Sequence, residues 1–184
     1  YRSVDNTVKR HSFGGRVKFI KQNGEESKAT YYKGLYKRTE PYKSGTMFRL
    51  YISNSKPSYV YAFGYDATGK TFTVFPHESG ISPALNYAQN SVAIPDEDHY
   101  IQTDNTVGKD YLCVLYSKNS LDIELIKNKV ENGTGSFYAR VKSALSGKLV
   151  DPSKITFGQA NISFDVKNSV KSVAALIIET DHIP

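Results

Sequence analysis

Tryptophan is absent from these 184 residues, and cysteine and methionine occur once each. The single Cys113 excludes an internal disulfide and any metal site built on a cysteine cluster, and leaves the redox compartment open. The longest apolar run, residues 173–178, is far below the roughly 18 residues a membrane-crossing helix needs. Internal repeats, low-complexity tracts, an H-E-x-x-H pair and a G-x-S-x-G elbow are all missing, which removes the zinc-protease helix and the strained serine turn as readings. The chain opens on Tyr1 rather than Met, as a trimmed or processed chain does, so the lack of a leading signal segment carries no information.

What is plentiful is aromatic: 14 Tyr and 9 Phe. Tyrosine joins an apolar ring to a hydroxyl and suits half-exposed sheet faces, which leans the chain toward β structure. Its length supports one domain with one sizeable core. The formal charge of +6 is uneven, with 11 Lys and Arg against 4 Asp and Glu in residues 1–43. Such a basic leader suits nucleic acid or an anionic surface. Because the charges are dispersed rather than clustered, a solvated surface is the stronger reading.

Residues 1–13 read as a flexible or surface-bound lead-in, and 14–184 as a single domain. Residues 16–21 alternate as a strand, and 22–25 form a turn signal. The stretch 45–76 reads as a three-stranded β-meander, with Phe48, Leu50 and Ile52 on one face of its first strand. Tyr59, Tyr61, Phe63 and Tyr65 share a face of the second, an aromatic ladder more suited to packing than to a flat ligand. Residues 76–110 are loop-like. Residues 111–116 form a continuous apolar strand buried on both faces.

Next comes an αα-hairpin over 119–146. Asn119 or Ser120 is its expected cap, Leu121, Leu125, Ile126 and Val130 recur at helical spacing, and the second helix ends near Gly147. Two strands within 160–180 close the chain. The fold class expected is α+β: a mainly antiparallel, β-sandwich-like sheet with the αα-hairpin inserted before the last two strands and packed on an end or edge.

Gly64, Gly69, Lys70 and Thr71 satisfy the G-x-x-x-x-G-K-[ST] phosphate-loop pattern. That loop needs a helix starting at the Lys-Thr, so that backbone N–H groups face the anion. Here residues 71–75 alternate as a strand, and the reading preferred is a tight hairpin around residues 66–69. The four histidines have no ligand spacing. His77, Asp96, Asp98 and His99 all lie in the loop region, where a site assembled by folding would concentrate. Cys113 paired with a histidine would make a nucleophile, but its place among Leu112, Val114 and Leu115 fits an inert core thiol.

The Gly followed by an Arg-bearing strand (Gly45, Phe48, Arg49), the tyrosine-rich strand (Tyr59, Val60, Tyr61, Phe63), the Asp-x-x-Gly turn (Asp66, Gly69) and Phe75-Pro76 recur in order. Ile94-Pro95 and residues 108–117 continue the pattern. This core, 45–117, resembles the bacterial family of domains of unknown function 4384, and the flanks resemble an elaboration of longer Bacteroidetes-type members. The resemblance implies an accessory module, often joined to caspase-like peptidase or protein kinase regions, with no catalytic residues established; no cofactor is expected.

The function expected is therefore a non-enzymatic binding or protein-interaction module of a bacterial, extracytoplasmic protein, whose partner is another protein or other domains of a longer chain. Its recognition surface is expected on the 77–110 loops and the outward tyrosines, with Tyr61, Tyr65 and His77 foremost and Asp96, Asp98 and His99 beside them. The alternatives are a small hydrolase on Cys113 or the His/Asp loop and, below it, a nucleotide-binding protein through residues 64–71.

Overall fold

In the computed structural model, which describes residues 7–88 and 91–184, the period-two patterns of the sequence become strands. Strand β1 (His11–Lys21) buries Phe13, Val17 and Phe19 on one face, as the alternation of a pleated strand requires. It takes in residues 11–13 of the expected lead-in. Residues 7–10 precede it without regular structure, and 1–6 lie outside the described residues. Strands β2 (Ala29–Tyr32) and β3 (Leu35–Arg38) form a hairpin. Its turn residues Lys33 and Gly34 both have positive φ, the mirror-image turn that matches strand twist.

Then follow β4 (Tyr42–Lys43), β5 (Met47–Asn54), β6 (Ser58–Tyr65) and β7 (Thr71–Phe75). Within the stretch that reads as loop lie β8 (Ala84–Leu85), β9 (Ser91–Ile94) and β10 (Ile101–Gln102), each too short to show a period. Strand β11 (Gly108–Ser117) leads to α1 (Ile123–Glu131) and α2 (Phe137–Ala144). A 3₁₀ turn at Pro152–Lys154 precedes β12 (Ile155–Phe157), β13 (Ile162–Ser169) and β14 (Val173–Ile183).

Two sheets result. The first runs β10-β5-β1-β13-β12, with β9 also on β5; the second runs β2-β3-β14-β11-β6-β7, with β4 on β14 and β8 on β6. The named ladders are antiparallel except those of β14 with β3 and β4. The expected meander is corrected here, because β5 belongs to the first sheet while the β6–β7 hairpin belongs to the second. The chain changes sheet at the corner after Asn54, whose buried amide donates to the carbonyls of Lys56 and Tyr87 at 2.7 and 2.8 Å.

Between the sheets, Val17, Leu50, Ile52, Val60, Val114, Leu176 and Ile178 form one core. The other face of β6, β11 and β14 makes a second core with the helices, where Phe63, Cys113, Leu115 and Ile177 meet Ile126, Val130, Phe137 and Val141. The three central strands are thus covered on both sides, which is why 111–116 and 173–178 are uniformly apolar. Burying each such side chain stabilises the fold by about 1.5–3 kcal/mol. The helical pair covers a face of the sheet, not an end or edge, since an apolar outer face exposed to water would otherwise remain. Its first cap is Asp122 rather than Asn119 or Ser120, accepting from Leu125 N–H at 3.1 Å. Ser136 caps the second, accepting from Ala139 N–H at 3.2 Å. Among the described residues no helix is long and apolar enough to cross a membrane.

Candidate functional site

The stretch 64–71 holds no helix start. Gly64 ends within β6, Asp66 to Gly69 form the turn, and Thr71 opens β7. The Thr71 N–H and hydroxyl both donate at 2.7 Å to Glu131 on α1, placing a carboxylate where a phosphate loop would need an anion. The aromatic ladder of β6 packs beneath the helices, as packing rather than a ligand platform requires. Tyr61, expected to face outward, is only 4% exposed, and its hydroxyl accepts from Leu121 N–H at 2.9 Å. Tyr65 stacks on Phe137 with ring centres 5.1 Å apart. Both therefore face the helical pair instead of solvent, because the apolar face they share is the one the helices cover.

His77 is exposed just after β7, in the second sheet. Asp96 and His99 meet on the first sheet, between β9 and β10, with His99 Nδ1 at 2.7 Å from Asp96 Oδ2. The Asp98 and His99 N–H groups donate to Asp96 Oδ1 at 2.8 and 2.7 Å. The Asp98 N–H, then the His99 ring and the His99 N–H, hold the Asp96 carboxyl below its usual range. Asp98 itself is exposed. Fold placement thus joins Asp96 to His99 but leaves His77 on the other sheet, and the described residues hold no group of three or more metal-ligating side chains. Cys113 is fully buried, and burial pushes its thiol well above the ordinary range, away from a thiolate.

A different feature stands out at one end of the sandwich, where a cavity of about 270 Å³ draws walls from both sheets. Phe19, Phe48 and Leu50 of the first sheet face Phe72, Val74 and Leu112 of the second across it. The half-exposed Phe72 and the exposed Asp104 mark its mouth. Gly64 lets the tip of the Phe72 ring sit against the backbone, where a Cβ would overlap it.

Arg38 lines this cavity. It is 4% exposed, and none of its three guanidinium nitrogens has a hydrogen-bond partner among the described residues. The rings of Tyr42 and Phe19 hold it, with centres 3.3 and 4.2 Å from the guanidinium carbon. Burial without a counter-charge pulls its pKa down to about 9, so it stays charged at neutral pH. Asp110 lines the same cavity and leaves Oδ1 buried and unpartnered. Its Oδ2 lies 3.0 Å from His182 Nδ1, and His182 Nε2 lies 3.0 Å from Ser44 Oγ. Burial raises the Asp110 carboxyl from its ordinary value, with His182 opposing the shift.

Ser44, His182 and Asp110 therefore stand in the order of a nucleophile, base and orienting carboxylate. The surrounding turn has spent its donors. The N–H groups of Ser44, Gly45 and Thr46 donate to the carbonyls of Ile183, Thr103 and Lys43 at 2.9, 2.9 and 3.1 Å, leaving none for an oxyanion. The relay ties β4, β11 and β14 together and fixes the Asp110 carboxylate. No motif spacing joins Arg38, Ser44, Asp110 and His182, and in the sequence His182 is only one of four scattered histidines. One signal was present: Arg38 follows Tyr36 by two residues in a strand, which puts both on one face.

Residues 41–120 match a family model described as domain of unknown function (DUF4384). The matched stretch supplies most of the cavity wall, while Phe19, Arg38 and Thr180 come from the flanks. No curated protein and no solved structure matches the chain.

Proposed function

From a chain whose residues 41–120 match the DUF4384 family model, we propose a non-enzymatic binding module that recognises an anionic group in the cavity between the two sheets. The observation that carries this reading is the buried Arg38, a charge with no hydrogen-bond partner among the described residues where the protein interior would demand one. The loop region 77–110 contributes through Ile101 to Asp104, which line the same cavity. We place the module in a bacterial, exported protein, acting for a protein partner or for other domains of a longer chain, in keeping with the family resemblance. Nucleic acid or an anionic surface at residues 1–43 is the lesser use, since most of residues 11–43 lie in β1 to β4 and Arg38 is buried. The test is an NMR titration of the wild type and Arg38→Met with a panel of small anions, phosphate and aliphatic and aromatic carboxylates included. Shifts around the cavity that vanish in Arg38→Met support the reading; a panel without any Arg38-dependent shift overturns it.

A second reading, a serine hydrolase on Ser44, is favoured by the Ser44–His182–Asp110 geometry alone. Covalent labelling by a fluorophosphonate, lost in Ser44→Ala, would establish it. The spent backbone donors lead us to expect no labelling.

A further inference from the structure

Resting on the cavity reading above, we infer that the anion recognised is the carboxylate of an apolar α-amino carboxylate: a carboxylate, a neighbouring N–H donor and an apolar side chain. Each part of that group has a counterpart in the cavity. The guanidinium of Arg38 is a planar fork whose nitrogens are all unpartnered, and such a fork pairs most strongly with a carboxylate or phosphate through parallel N–H···O bonds. Asp110 decides between the two. Its Oδ1, unpartnered among the described residues, adds a negative charge that disfavours a multiply charged phosphate more than a carboxylate offset by its own amine, and it calls for a ligand carrying its own donor.

The donor side is prepared as well. His182 holds Asp110 Oδ2 at 3.0 Å and is itself held by Ser44, so the carboxylate is oriented before any ligand arrives. Arg38 and Asp110 do not pair with each other, yet both line one cavity of about 270 Å³. Together they present one positive and one negative group, the complement of a zwitterion. The same cavity is lined by Phe19, Phe48, Leu50, Phe72 and Val74, an apolar surface for a side chain. The volume falls just below the roughly 300–1,000 Å³ of drug-sized sites, which suits a single residue.

The same chemistry reaches the site from two sources, a free amino acid or the C-terminal residue of a peptide, and the experiment separates them. Calorimetry on the intact chain would compare phenylalanine and leucine with 3-phenylpropionate, which lacks the amine, and phenethylamine, which lacks the carboxylate. A tetrapeptide ending in phenylalanine and its C-terminal amide form the peptide arm, and inorganic phosphate is the control. We expect binding by the amino carboxylates, weakened at least about tenfold by loss of either group, and abolished by Arg38→Met. Asp110→Asn should weaken the free amino acids more than it weakens 3-phenylpropionate. Stronger binding of the free-carboxylate peptide than of phenylalanine names a protein terminus as the source; binding of phenylalanine alone names a metabolite.

If 3-phenylpropionate or phosphate binds as well as phenylalanine, with dependence on Arg38, the amino-carboxylate inference is overturned while the cavity reading stands. If none of these compounds binds in an Arg38-dependent way, both are overturned. The wild-type arms alone decide the question should Asp110→Asn not fold.

Discussion

The Arg38 guanidinium lies 3.3 Å from the centre of the Tyr42 ring, and that ring is itself anchored by a 2.6 Å hydrogen bond between its hydroxyl and Ser27 Oγ. A buried charge in this protein is therefore held by aromatic faces instead of a carboxylate. Cation–π contact recovers about 2 kcal/mol when desolvated, less than the several kcal/mol that burying an ion costs. Arg38→Met, which keeps the length of the side chain and removes the charge, is predicted to stabilise the unliganded protein by about 1–4 kcal/mol. Thermal unfolding should show a rise of several degrees. A fall in the midpoint would mean that the charge has an internal partner and that the cavity is not its recognition site.

Gly15 faces Tyr116, the ring of which occupies the place a Cβ would take. The Tyr116 hydroxyl donates to the carbonyl of Ser53 at 2.9 Å, so the ring cannot withdraw without breaking that bond. Gly15→Ala should destabilise by about 1–3 kcal/mol, read from urea unfolding midpoints. Adding Tyr116→Leu should cost less in the Gly15→Ala background than in the wild type, because the clash it relieves exists only there. Simple additivity would show that the two positions do not touch.

Glu131 joins α1 to β7 through both donors of Thr71, and those donors hold its carboxyl below the usual carboxylate range. A carboxylate depressed in the native state binds fewer protons there than in the unfolded chain. Its support is fully present above the unfolded value of 4.5 and is lost as pH falls through the lower native value. Unfolding midpoints measured on the acid side of 4.5 should drop more steeply for the wild type than for Glu131→Gln. Parallel profiles for the two proteins would place the acid sensitivity elsewhere.

Cys113 is flanked in the sheet by Phe63 and Ile177 and is fully buried. An aromatic disulfide reagent should modify it only as fast as the protein opens, and modification should accelerate in step with unfolding by urea. Immediate reaction in the native state would return the thiol to the list of nucleophiles.

Legibility in the sequence followed how local the determining contacts are. Strands β11 and β14 announce themselves because burial on both faces writes an unbroken apolar run, and α1 and α2 because one face repeats with helical period. The Gly64 to Thr71 hairpin was readable because Thr71 to Phe75 alternate. The switch of sheet after Asn54 was not, since a turn toward a paired neighbour and a corner between sheets use the same polar residues. Nor were the two-residue strands β8 and β10, which exist only because β6 and β5 offer them free edges. The cavity was hidden for a stronger reason: Arg38, Asp110 and His182 are remote in sequence and meet through β14.

That strand sets an order of assembly. In the second sheet β3 joins through Ile178 and Glu179 of β14, and β4 through His182 and Ile183, while the ladder of β2 is with β3. Until β14 has paired with β11, the strand carrying Arg38 has no edge of the second sheet to join and His182 cannot orient Asp110. Such pairing of distant segments is slow and late in folding. A partly made or partly unfolded chain would keep its helical pair and the β6–β11 ladder yet present no anion site, so binding at Arg38 would report that the last strand is in place.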